Sequence, residues 1–235
     1  SNPPDGLVIT NTGGLTLGSL VTSGGAINFD SGTNVASIGI TSTITGSILW
    51  GSYLARLNST SNTSAQGVDI RLNSSATSSS TAAYFRSDAD SRGASGTGPA
   101  VSYENGMGTA GPDLTIGTTY ILISKFTGVG GTGAGSATIW ALDSTQFGEF
   151  VTAGRTEDFL NTAGKVTSIA TSSRTSGSAL NWDGAYFEIV NGGTTGRLDE
   201  FRYGETLFDV TPIPETSSLS LLGGSLLFFL RRRRK

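Results

Sequence analysis

Apolar residues in this 235-residue chain come in short runs, separated by turn residues, and rarely recur at helical spacing. From Leu7 to Ile40 the runs LVIT, LTLGSLV, AINF and VASIGI stand between breaks such as Asn11-Thr12-Gly13-Gly14 and Ser23-Gly24-Gly25. Such spacing predicts short antiparallel strands. Gly46 to Leu57, GSILWGSYLARL, is nearly continuous in apolar character and predicts a central strand covered on both faces. Val68, Ile70 and Leu72 instead alternate with Asp69 and Arg71, the pattern of a strand with one buried face. Further strands are expected at Ala82 to Arg86, Val101 to Glu104, Thr118 to Phe126, Ser136 to Leu142, Val166 to Ser172, Gly184 to Val190 and Arg197 to Tyr203. The Gly-rich stretch Gly128 to Gly135 joins two of them as a hairpin. Ser87 to Pro112 reads as a long Gly/Asp/Ser-rich loop holding one short strand, and the one helical turn expected in the body lies at Glu157 to Leu160. About a dozen strands with almost no helix predict an all-β fold of two packed antiparallel sheets, a β-sandwich.

Composition agrees with one large β domain: 34 glycines, long Ser/Thr runs and 14% charged residues. The chain has no cysteine and no histidine. That excludes Ser-His-Asp and Cys-His nucleophilic mechanisms, disulfides and thiolate metal sites. Residues 1–211 carry 10 basic and 17 acidic side chains, a net charge of -7. An acidic body is a poor partner for nucleic acid or an anionic membrane surface.

The end of the chain is different. Pro212 to Lys235, PIPETSSLSLLGGSLLFFLRRRRK, joins a Pro-Glu turn, an apolar run from Leu219 to Leu230 and the cations Arg231, Arg232, Arg233, Arg234 and Lys235. As a helix, Thr216 to Leu230 would span about 22 Å at about 1.5 Å per residue, short of a hydrocarbon core of about 30 Å. An apolar segment followed by a basic cluster partitions into a bilayer with its charges on the cytoplasmic side, which reads as an address and not as part of the fold. The three parts resemble the PEP-CTERM sorting signal of bacterial surface proteins, with Pro214, Glu215 and Thr216 at the place of its Pro-Glu-Pro box. The resemblance implies a short hydrophobic C-terminal helix, a precursor held in the inner membrane, and an exosortase-type partner that cuts near the box. Ser1-Asn2-Pro3-Pro4, with no methionine, basic region or apolar leader, reads as a processed or truncated start for an exported chain.

The order WGSYLARL, TTYILISKF, SATIWALD, AYFEIV and GRLDEFRYGETLFDVTP, the last at Gly196 to Pro212, resembles LamG-type or concanavalin A-like jelly rolls. That resemblance implies a closing strand beside the N-terminal strand, an opening strand ahead of Leu7, and calcium at the rim. No other cofactor is expected. Asp30, Asp69, Asp113 and Asp183 lie near expected turns and are the candidate hard-oxygen ligands. No dense Asp-x-Asp-x-Asp run joins them. Glycosidases of this fold need two carboxylates facing one cleft about 5 to 10 Å apart. Glu188, Asp199 and Glu200 show no such alternate pairing, so a non-enzymatic protein is expected. Asp199, in strand phase with Phe201 and Tyr203, reads as a buried carboxylate hydrogen-bonded to loop amides or an arginine, a structural latch. For a polysaccharide partner the candidates are Trp182 with Asn181 and Asp183, in a turn where an aromatic face stands clear for stacking. Trp50 and Trp140 fall inside apolar strands and read as core. The Asn-x-Ser/Thr patterns at Asn58, Asn62 and Asn73 carry no weight in a chain this rich in Ser and Thr.

Overall fold

The computed structural model describes residues 7–10, 13–29, 34–39, 46–59, 67–73, 85–90, 98–103, 106–107, 110–175, 184–190 and 195–214. In chain order the strands are β1 (Leu7–Thr10), β2 (Ala26–Phe29), β3 (Asn34–Gly39), β4 (Ile48–Ser59), β5 (Gly67–Asn73), β6 (Phe85–Asp90), β7 (Ala100–Tyr103) and β8 (Gly106–Met107). They continue with β9 (Thr119–Thr127), β10 (Gly135–Leu142), β11 (Ser168–Arg174), β12 (Gly184–Val190) and β13 (Thr195–Gly204). Three helices, α1 (Ser144–Thr152), α2 (Glu157–Leu160) and α3 (Leu207–Val210), follow β10 and β13.

These strands form two antiparallel sheets. One has seven strands in the order β1-β2-β13-β4-β9-β10-β11, the other six in the order β3-β12-β5-β6-β7-β8. The closing strand β13 pairs with β2 on one side and β4 on the other, beside the N-terminal strands as the resemblance implies. β9 and β10 form the expected hairpin, with Phe126 opposite Ala137 and Leu122 opposite Ala141.

Alternation along the long strands sorts their side chains into two cores. Leu49, Tyr53, Ala55 and Leu57 of β4, Leu122 and Phe126 of β9, and Ile139 and Ala141 of β10 pack with Val101 of β7 between the sheets. The residues in between, Trp50 and Leu54, Ile121 and Ile123, Trp140 and Leu142, face the other way and meet α1, α2, α3 and residues 13–25. The continuous apolar run of β4 is thus explained: this strand is covered on both faces, as expected. Trp50 and Trp140 are core residues, stacked at 5.9 Å between ring centroids. Trp140 donates through Nε1 to Asn161 Oδ1 at 3.2 Å, which satisfies the one polar atom of its buried indole.

Two expectations fail on this outer face. LTLGSLV is not a strand: Leu15, Leu17 and Leu20 are buried, but Gly18 at φ +51 turns the chain between them. Residues 13–25 run as an irregular strap across the sheet. α1 is a true helix where only weak propensity was visible. Its signal was the capping box, in which Asp143 accepts from the Gln146 amide and the Gln146 side chain accepts from the Asp143 amide. Phe147 and Phe150, one turn apart, bury the inward side of α1. α2 lies at the expected Glu157–Leu160 turn, capped by Thr156.

Candidate functional site

Among the described residues, polar side chains are brought together most densely where the strap crosses β13. Leu198 of β13 points into the core between the sheets, with Phe201 and Tyr203 packed against the same core. Strict alternation would put Leu198 and Phe201 on opposite faces. A register shift between Asp199 and Arg202 removes the conflict, and Glu200 adopts φ 56 within it. The shift is a β-bulge. It corrects the phase expected for Asp199, which lies opposite Leu54 of β4, on the strap side, and not with the aromatics.

Asp199 is nevertheless a buried latch. Its Oδ2 accepts from the Leu15 amide at 2.7 Å and its Oδ1 from the Glu200 amide at 2.8 Å. Gly14 permits the approach, since a Cβ there would stand 2.9 Å from Asp199 Oδ2. Glu200 accepts from both the amide and the hydroxyl of Ser23 and pairs with Arg202 at 2.6 Å. Arg202 also donates to the Val21 carbonyl, and Arg197 to that of Gly13. The strap therefore draws on carboxylates and guanidinia of β13 in place of a strand ladder. Desolvation raises the Asp199 carboxyl above its ordinary 3.8; the Leu15 and Glu200 amides pull it down, the Glu200 charge pushes it up and Arg197 pulls it down. Every one of these contacts holds the chain to itself, so the cluster reads as structural.

The last described residues run next to this cluster. α3 is fixed by a second capping box, between Thr206 and Asp209, and buries Leu207 and Val210. Ser52 Oγ of β4 donates to the Val210 carbonyl at 2.5 Å. Val21 then donates its amide to the Pro212 carbonyl at 3.1 Å. Pro214 is exposed.

The other candidate residues are scattered. Trp182, Asn181, Asp183, Asp30, Glu215, Thr216 and Arg231 to Arg234 lie outside the described residues. Asp113 is exposed ahead of β9. Asp69 lies in β5, opposite Glu188 of β12 and Asp88 of β6, a row that the sequence reading did not join because it ended the β6 strand at Arg86. The extended β6 also brings Asp88 and Asp90 into one strand. A register shift sets Asp88 opposite Asp69 but Asp90 opposite Val68. The two carboxylates thus fall at register positions of opposite phase. Among the described residues no group of three or more acidic, thiol or imidazole side chains is arranged to hold a metal ion.

No protein family model and no curated protein matches the chain. Solved structures similar to it include a lectin UEA-II complexed with galactose, at 11% identity and a TM-score of 0.42, covering 86% of this chain and 93% of that one. A peanut lectin bound to a peptide is similar at 10% identity and a TM-score of 0.44, covering 86% and 91%. A legume lectin-like domain from Entamoeba histolytica is similar at 8% and 0.42, covering 86% and 90%. At TM-scores below 0.5 these likenesses carry nothing further, and the two-sheet antiparallel sandwich stands on the strand pairing itself.

Proposed function

We propose that the chain is an exported, non-enzymatic protein with two parts. Residues 1–211 form a LamG-type, concanavalin A-like sandwich, and residues 212–235 a PEP-CTERM-type sorting tail. The tail holds the precursor in the inner membrane until an exosortase-type enzyme cuts near the box and sends the body to the cell surface or extracellular matrix. The observation that carries this reading is the burial profile at the end of the body. Val210 and Thr211 are fully buried, Pro212 accepts the strap's hydrogen bond, and two residues later Pro214 is exposed. The exposure of Pro214, the first residue of the box, supports access by a processing enzyme.

Contact with polysaccharide is the role we assign to the displayed body. Helices and strap cover the outer face of β4, β9 and β10, so a glycan would meet the loops. Trp182, Asn181 and Asp183 fall between β11 and β12, in the segment that carries the chain from one sheet to the other. Calcium, if bound, would draw on oxygen ligands such as those of Asp30, Asp69 and Asp113.

Expression of the full chain in a bacterium that has an exosortase, followed by intact-mass measurement of the released protein, tests the sorting step. The expected product ends near Pro214; a released, water-soluble product that still carries Arg231 to Lys235 would sink the reading. On a glycan array the released body is expected to bind, and Trp182→Ala to lose that binding. A silent array would leave a structural matrix component, and turnover of a polysaccharide would show a degenerate glycosidase.

A further inference from the structure

Two of the large apolar side chains left exposed lie beside the last described residues, 211–214. Val21 is 42% exposed and Phe208 is 53% exposed. A continuous set of contacts joins them. The Arg155 guanidinium stacks on the Phe208 ring at 4.2 Å and donates to the Thr211 carbonyl at 2.8 Å, and the next residue, Pro212, accepts from Val21. Ile213 packs against the core beneath.

Phe208 cannot turn inward. Leu207 and Val210 hold α3 to the sheet, and the Thr206–Asp209 box pins its first turn, which leaves position 208 on the outward side of the helix. Arg155 is itself held at φ 54, which an arginine adopts only where its contacts over-determine it. The result is a ledge of apolar tips around an arginine, beside the last described residues.

We infer that this ledge is a membrane-contact surface, on which the unprocessed body rests in the interface of the bilayer that receives its tail. The inference rests on the sorting reading above. What selects lipid as the partner is reach: from Pro214 to Leu219, the first residue of the apolar run, is five residues, at most about 18 Å of extended chain. With that run inserted, the ledge is confined to the headgroup region, where aromatic rings and arginines reside at low cost. The body's charge of -7 makes electrostatic attraction the wrong driver. Contact through Phe208 and Val21 is therefore apolar and should be insensitive to salt.

The chain has no cysteine, so single variants of the full-length protein take one environment-sensitive fluorophore each, at Phe208→Cys, Val21→Cys, Leu226→Cys and Ile116→Cys. Ile116, 45% exposed in the turn before β9, is the control. With zwitterionic phosphatidylcholine vesicles, labels at 208, 21 and 226 are expected to shift to the blue and the label at 116 to stay in water. Unlabelled Phe208→Ser is expected to lower vesicle partitioning about threefold. A shift at 226 with 208 and 21 remaining aqueous overturns the ledge and leaves the tail reading intact. No shift at 226 removes both. A shift at 116 as large as at 208 means adsorption without orientation, and a shift at 208 without vesicles means that the chain's own tail covers the ledge; either result also overturns the inference.

Discussion

The two sheets use opposite solutions to the same problem. In the seven-stranded sheet the central strands β4 and β9 bury side chains at most positions and are covered on both faces, whereas the edge strand β11 alternates and leaves Ile169 exposed. In the six-stranded sheet β5 alternates: Val68, Ile70 and Leu72 share a phase with Val101 through the β5–β6–β7 register, while Asp69 and Arg71 lie in the other. The first pattern is that of strands with a layer on each face, the second that of a strand with one apolar face. A strand's hydrophobic pattern thus reports how many layers lie against it, and here the third layer is made of short helices and an irregular strap.

This contrast is most exposed to mutation at Trp140. The side chain is fully buried on the strap side, stacked on Trp50 and bonded to Asn161. Trp140→Ala is expected to cost about 3 to 5 kcal/mol, read as a lower denaturant midpoint in urea unfolding. A loss below about 1 kcal/mol would mean that the outer layer is not part of the cooperative core.

Asp199 tests the strap alone. Asp199→Ala leaves the Leu15 and Glu200 amides buried without their acceptor, and about 2 to 3 kcal/mol of destabilisation is expected. Asp199→Asn keeps one acceptor and removes titration. Because the folded carboxyl lies above its ordinary 3.8, the folded state binds its proton more tightly than the unfolded state does. Its titration therefore favours folding below the unfolded value, and that contribution is lost as pH rises through the raised folded value. The stability of the native chain relative to Asp199→Asn should fall across that window and level off above it. A difference that grows with rising pH would reverse the assignment.

The smallest effect belongs to the other sheet. Asp69 lies between Glu188 and Asp88 in the ladder, and like charges directly opposite destabilise a sheet. Asp69→Asn should be neutral or stabilising by about 0.2 to 1 kcal/mol, the gain shrinking as salt is added. Clear destabilisation would mean that Asp69 has a bound partner, as a calcium site would give it.

Strand positions were legible because period-two patterns and Gly-rich turns are local properties. Gly184–Val190 falls where expected and β4, β9 and β10 fall within two residues of it. α1 was hidden because Gly148 and β-branched Val151 and Thr152 weaken its propensity, while the Asp143-x-x-Gln146 cap that starts it is a side-chain contact. The latch was half legible. Burial of Asp199 follows from its strand, but its face depends on the bulge at Glu200, which exists only because β4 and β13 pair out of step there.

Local pattern alone was enough to establish a mostly β body, a two-faced central strand, the absence of histidine and cysteine chemistry, and a terminal segment of a different character. Long-range contact had to decide the rest: that LTLGSLV lies as a strap, that Asp199 and Glu200 serve it as surrogate ladder partners, and that Phe208 stands outward. The reason is separation along the chain. Leu15 and Asp199 are 184 residues apart, and no periodicity within either segment encodes which distant groups will satisfy its amides.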